Sequence, residues 1–156
     1  IIVDVDAISA KCGGNIKGGK KAIQIINDCL DKKINFTQET TLSGKRIFGT
    51  LEKAKKNGYY IRMYYVALSS LNESCIRIEN RVRKGGHDIP KEDVTKRFAK
   101  RFDDAIKVLP YCDEVHFYDN ENGFIDAGEY KNGEIVIKQH TEWLDQLKNE
   151  FSDKQV

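Results

Sequence analysis

At 156 residues with 40% hydrophobic content, the chain can bury one real core and reads as a single α/β-sized globular domain. Twenty-six Lys and Arg against 24 Asp and Glu leave a net charge of +2, which gives no reason to expect a nucleic-acid or membrane-surface partner. No apolar run reaches the roughly 18 residues of a membrane span, and Cys12, Cys29, Cys75 and Cys112 are too widely spaced for a C-x-x-C zinc or disulfide framework. The expectation is a cytoplasmic protein with reduced thiols and no metal ligands of this kind.

The first element is the apolar run "IIVDVD", read as a strand over about 1–5. The chain opens on Ile1 rather than Met, inside this strand, so residues upstream are expected. Alternation along the strand would send Asp4 and Asp6 to one face at its carboxyl end, where a carboxylate can accept a hydroxyl's proton or orient a Mg²⁺-bound water. Capping of the next turn by Asp4 is the competing explanation.

Next comes "GGNIKGGKK", residues 13–21, which has the opening letters of the phosphate-binding motif G-x-x-x-x-G-K-S/T. Lys21 stands where that motif needs Ser or Thr to hold Mg²⁺. The stretch also fails to follow directly from a strand, because "AISAKCG" intervenes. A Gly-rich turn before a helix at 17–32, with a stripe of Ile23, Ile26 and Leu30 flanked by Ala22, Ile25 and Cys29, accounts for it better.

A strand at 34–39 leads into "QETTLSG", where Glu39, Thr40 and Thr41 offer an acceptor and two hydroxyls. Thr41 or Ser43 would also serve as the N-cap of a helix at 43–56, but capping leaves a charged Glu39 at the end of a buried strand without a partner. A strand at 59–68 follows. Helices at 70–84 and 90–108 then flank "GGHDIP", with Gly85 ending the first and Pro90 starting the second.

Arg77 and Arg81, and Arg97 and Arg101, stand four apart on these two helices. Like charges at that spacing cost a few tenths of a kcal/mol per pair. Two such pairs around one hinge suit an arginine-bearing lid for a phosphorylated ligand. Pairing with Glu79, Glu92 and Asp93 on a solvated hairpin is the alternative. Strands at 114–119, 124–130 and 134–138 and a helix at 141–150 complete the chain, leaving 152–156 as a disordered tail. Strands alternating with helices predict a mainly parallel sheet covered on both faces, with ligands at the carboxyl ends of the strands.

The segments "INFTQETTLSG", "AKKNGYYIRMYYVAL", "RVRKGGHDIPKEDVTKRF" and "VHFYDN", in this order, resemble the zeta-toxin family of small-molecule kinases, from about Asp4 to Trp143. The resemblance implies a P-loop kinase-like three-layer α/β/α domain over 1–151 with a helical lid at about 70–108. It also implies ATP and Mg²⁺ as cofactors and transfer of the γ-phosphate to a hydroxyl of a nucleotide sugar such as UDP-N-acetylglucosamine. Carried over by position, Asp6 is the base, with Asp4, Glu39, Thr40 and Thr41 at the substrate. Arg81, Arg97 and Arg101 then meet the ATP phosphates, and Asn120 lies near the nucleotide base. An antitoxin protein is a further partner the family suggests.

Family order would put the true phosphate loop and a central strand before Ile1 and make "GGNIKGGKK" a decoy. A chain starting at Ile1 is then expected to bind ATP poorly and to expose strand edges. A nucleoside or nucleotide acceptor, and a non-catalytic binding module, are the alternative functions.

Overall fold

The computed structural model describes residues 1–155, so the final position of the expected tail, 156, lies outside the described residues. Backbone contacts divide the chain into two compact units, Ile1–Tyr60 and the remainder from Ile61.

In the first unit the opening strand is short. Strand β1 covers Ile2–Val3, after which the Asp4 carboxylate accepts the Ala7 N–H at 2.9 Å and starts helix α1, Val5–Cys12. This corrects the expected strand at 1–5. A side-chain acceptor for a free N–H of the first turn outweighs the period-2 pattern of "IIVDVD". Gly13, at φ 73°, ends α1 in the left-handed conformation, and α2 runs from Asn15 to Lys32.

The two helices cross where α1 carries buried Ser9 and α2 carries Gly18. A Cβ on Gly18 would sit 2.1 Å from the Ser9 Oγ and 2.4 Å from its Cα, so only glycine permits this approach. Strand β2, Thr37–Gln38, then pairs with β1 in parallel, the helical crossover between them being what parallel pairing requires. Helix α3, Arg46–Lys56, closes the unit. Its end is tied to α2 by the Asn57 amide on the Leu30 carbonyl at 2.8 Å and by the Tyr59 hydroxyl on the Cys29 carbonyl at 2.7 Å. Val3, Ala22, Cys29, Leu30, Leu51 and Ala54 form its core.

The second unit holds a four-stranded sheet in the order β3 (Arg62–Ala67), β4 (Glu114–Asp119), β5 (Ile125–Lys131), β6 (Glu134–Ile137). β3 and β4 are parallel and the other pairs antiparallel, so the sheet is mixed rather than mainly parallel. Asn132 and Gly133, both at positive φ, make the two-residue turn that reverses β5 into β6.

Helices α4 (Leu71–Arg83) and α5 (Lys91–Val108) cross from β3 to β4, and α6 (Glu142–Asp153) follows β6. α6 therefore continues two residues past 151, into the expected tail. One face of the sheet, with Val115, Phe117, Ala127 and Tyr130, is buried, as are Phe102, Ala105 and Ile106 of α5 and Trp143, Leu144 and Leu147 of α6. Trp143 meets Phe117 edge-on, ring centroids 6.3 Å apart, and a Cβ at Gly128 would reach Leu144 at 3.1 Å. All four cysteines are free thiols.

Candidate functional site

Five of the residues singled out by sequence lie in the first unit. Asp4 is committed to its cap. Asp6 is exposed in the first turn of α1, two positions further on, so the two carboxylates do not share a face as they would on a strand. Glu39 is exposed just beyond β2, and the expectation that it ends a buried strand is corrected: a solvated carboxylate needs no partner.

Thr40 and Thr41 shape their own loop. The Thr40 hydroxyl accepts the Leu42 N–H at 3.1 Å, and the hydroxyls of Thr41 and Ser43 bond each other at 2.6 Å. Neither caps α3, whose N-cap is Lys45 without a side-chain bond. Leu42 is buried at φ 57°, a left-handed conformation rare for a leucine, and it pins this polar loop to the core.

Residues 15–20 of "GGNIKGGKK" are helical. The Gly18 N–H donates to the Gly14 carbonyl at 2.9 Å, as in any helix, so it is not turned toward a phosphate. The turn is limited to Gly13 and Gly14, shorter than the sequence suggests.

In the second unit, α4 and α5 form the expected hairpin around Gly85, which is at φ 87°. An open groove of about 510 Å³ lies at the end of α4, lined by Arg77, Asn80, Arg81, Lys84, Gly85 and Gly86, with three cations and no carboxylate. Arg81 is exposed and donates to the His87 carbonyl at 2.9 Å. Gly86 makes room for it, since a Cβ there would come within 2.6 Å of the Arg81 Cγ.

Arg77 is engaged differently. Its Nε donates to Glu73 at 2.8 Å and its Nη2 to the Glu121 carbonyl at 3.0 Å. Arg97 is exposed on α5 and makes no hydrogen bond or ion pair among the described residues, while Glu92, a candidate partner, pairs with Lys96. Arg101 folds back on its own helix: it donates to the Phe98 carbonyl at 2.6 Å, its guanidinium lies 3.5 Å from the Phe98 ring centroid, and burial lowers its pKa. It therefore stands apart from the groove-lining residues. Burial also pushes the neighbouring Tyr65 hydroxyl up to about 12.

Asn120 lies at the carboxyl end of β4, its N–H on the Ala67 carbonyl at 3.0 Å. Beside it is a network that sequence reading missed. Asp119 is buried, taking the Trp143 indole N–H at 2.8 Å and the Glu121 N–H at 3.3 Å, and the Glu121 carboxylate takes the Ser69 N–H at 2.7 Å. The only local signal was a charged residue ending a strand whose alternate positions are apolar.

Comparison with known proteins adds three findings. Residues 17–125 match the family described as Zeta toxin. A protein of Haemophilus influenzae, described as uncharacterized, is 32% identical over an alignment of 104 residues that covers 63% of this chain and 74% of that one. No solved structure matches.

Proposed function

The chain belongs to the Zeta toxin family, whose fold and function are P-loop kinase-like, and from this premise we propose that it serves an ATP-dependent kinase reaction on a hydroxyl of a nucleotide sugar such as UDP-N-acetylglucosamine. The observation that carries the reading, beyond membership, is the cationic groove of α4 beside the Gly85–Gly86 hinge. Arg81 and Lys84 suit the polyphosphate of a nucleotide there, and Arg97 is an unengaged cation on the partner helix of the hairpin.

When bound, ATP would supply the phosphoryl group and Mg²⁺ the countercharge. On this reading Asp6, exposed at the start of α1, takes the acceptor's proton, while Glu39, Thr40 and Thr41 hold the sugar and Asn120 lies toward the base. A three-layer kinase arrangement of the sheet, and a role as the toxin of a toxin–antitoxin pair, belong to the same proposal. No described helix is long and apolar enough to cross a membrane.

A second reading is that the chain holds polyphosphate without transferring it, at a groove whose Arg77, Arg81 and Lys84 need no phosphate loop to meet an anion. One experiment separates the two. The full chain is incubated with ATP, Mg²⁺ and UDP-N-acetylglucosamine, and the sugar nucleotide is followed by phosphorus NMR. A new phosphomonoester, lost in Arg81→Ala, supports the kinase. ATP binding without product supports the binding module, and product from nucleoside monophosphates alone moves the acceptor to that class. Neither binding nor product refutes both readings.

A further inference from the structure

Two points fix a helix axis, and one residue holds both for α4. The Glu121 carboxylate accepts the Ser69 N–H at 2.7 Å, immediately before the Ser70 N-cap, where a negative charge also favours the helix N-terminus. Two turns along, the Glu121 carbonyl accepts the Arg77 guanidinium at 3.0 Å. Glu121 is itself anchored, its N–H on the buried Asp119 carboxylate, which the Trp143 indole of α6 holds from the other side. Arg81 follows Arg77 by four residues and so shares its face of the helix, at the groove. No other single residue among those described joins β4, the start of α4 and the arginine face.

We propose that Glu121 is a positioning residue for Arg81: by holding α4 at Ser69 and Arg77 it sets where the Arg81 guanidinium stands in the groove. The proposal rests on the anion-binding reading of that groove. It also assigns Arg77 a part distinct from that of Arg81, as the strut through which the helix is held.

The test measures binding of inorganic tripolyphosphate to the full chain by calorimetry, together with amide exchange along α4. Glu121→Ala removes the acceptor for the Ser69 N–H and should weaken binding about tenfold, the scale of one lost hydrogen bond. Glu121→Gln keeps a carbonyl oxygen there and should bind within about twofold of the native chain. In an Arg81→Ala background, Glu121→Ala should change affinity by less than about twofold, because the residue acts through Arg81.

Exchange at α4 amides should quicken in Glu121→Ala while those of β4 and α6 hold. Equal losses with and without Arg81 would mean general destabilisation and overturn the proposal, as would a Gln variant no better than Ala. If the native chain fails to bind tripolyphosphate, the anion reading of the groove falls; unchanged exchange at α4 in Glu121→Ala refutes the positioning role by itself.

Discussion

Adjacent glycines 18 and 19 should respond to alanine with opposite signs. Both lie inside α2, where replacing Gly by Ala gains roughly 1 kcal/mol from helix propensity alone. At Gly19 a Cβ meets nothing within 4 Å, so the whole gain should appear. At Gly18 the Cβ falls 2.1 Å from the Ser9 Oγ and 2.4 Å from the Ser9 Cα. The hydroxyl can rotate away, but the backbone carbon cannot, so α1 and α2 must separate at a cost of roughly 1–3 kcal/mol. The expected result is a net loss of up to about 2 kcal/mol for Gly18→Ala, and hence a difference between the two variants of about 1–3 kcal/mol. Urea denaturation followed by circular dichroism, with amide exchange of α2 as the local reading, measures both. A phosphate loop would give another pattern, with Gly19→Ala disrupting nucleotide binding and Lys20→Ala abolishing it. Destabilisation by Gly19→Ala, or equal tolerance of both substitutions, would refute the helical reading of residues 15–20.

Four further outcomes are expected. Asp6→Asn should lower kcat roughly 100-fold or more with ATP affinity nearly unchanged, and normal turnover would remove Asp6 from the mechanism. In the same assay Arg81→Ala and Arg97→Ala should each cost about 3–4 kcal/mol of transition-state stabilisation. Lys100→Ala, an exposed residue 3.9 Å from Asp104, should shift stability by under about 0.5 kcal/mol in thermal denaturation. Tyr65 stays neutral in the fold up to about pH 12 but ionises near 10 when unfolded, so its contribution is present below pH 10 and lost between 10 and 12. Two pKa units correspond to about 2–3 kcal/mol, and the alkaline limb of a denaturation profile should flatten by about that much in Tyr65→Phe.

The parts of this chain that sequence makes plain are those whose causes are local. Helices α4 and α5 begin and end within a residue of expectation, because Ser70 caps one, Gly85 stops it and Pro90 opens the other. β4 shows as a strand because its residues alternate between half-buried and buried. Helix α1 escaped notice for an equally physical reason. The period-2 pattern up to Asp6 competed with the cap at Asp4 that the sequence also offered, and the crossing of Ser9 with Gly18, which periodicity does not report, helps to hold these eight residues helical. Glu121 lies further out of reach, with partners 52 residues away at Ser69 and 44 away at Arg77. Periodicity carries no information over such separations.

The same distinction sorts the arginines. Read from spacing alone, Arg77, Arg81, Arg97 and Arg101 form two repulsive pairs that invite an anion. Within the fold two of the four are already engaged: Arg77 lies between Glu73 and the Glu121 carbonyl, and Arg101 is folded over Phe98 with its charge partly desolvated and its Nε buried without a hydrogen-bond partner. Desolvation makes Arg101 a poor competitor for a mobile ligand, because leaving its carbonyl and its ring would expose the apolar surface it covers. Among the described residues Arg81 is held only by an exposed carbonyl of the hinge, a bond a phosphate can replace with a charge-assisted one at little loss, and Arg97 has no partner there to surrender. The two arginines free to move toward an anion are thus two of the three that the family resemblance assigns to the ATP phosphates, Arg101 being the third. Spacing pointed to four, and the protein's own hydrogen bonds remove the other two.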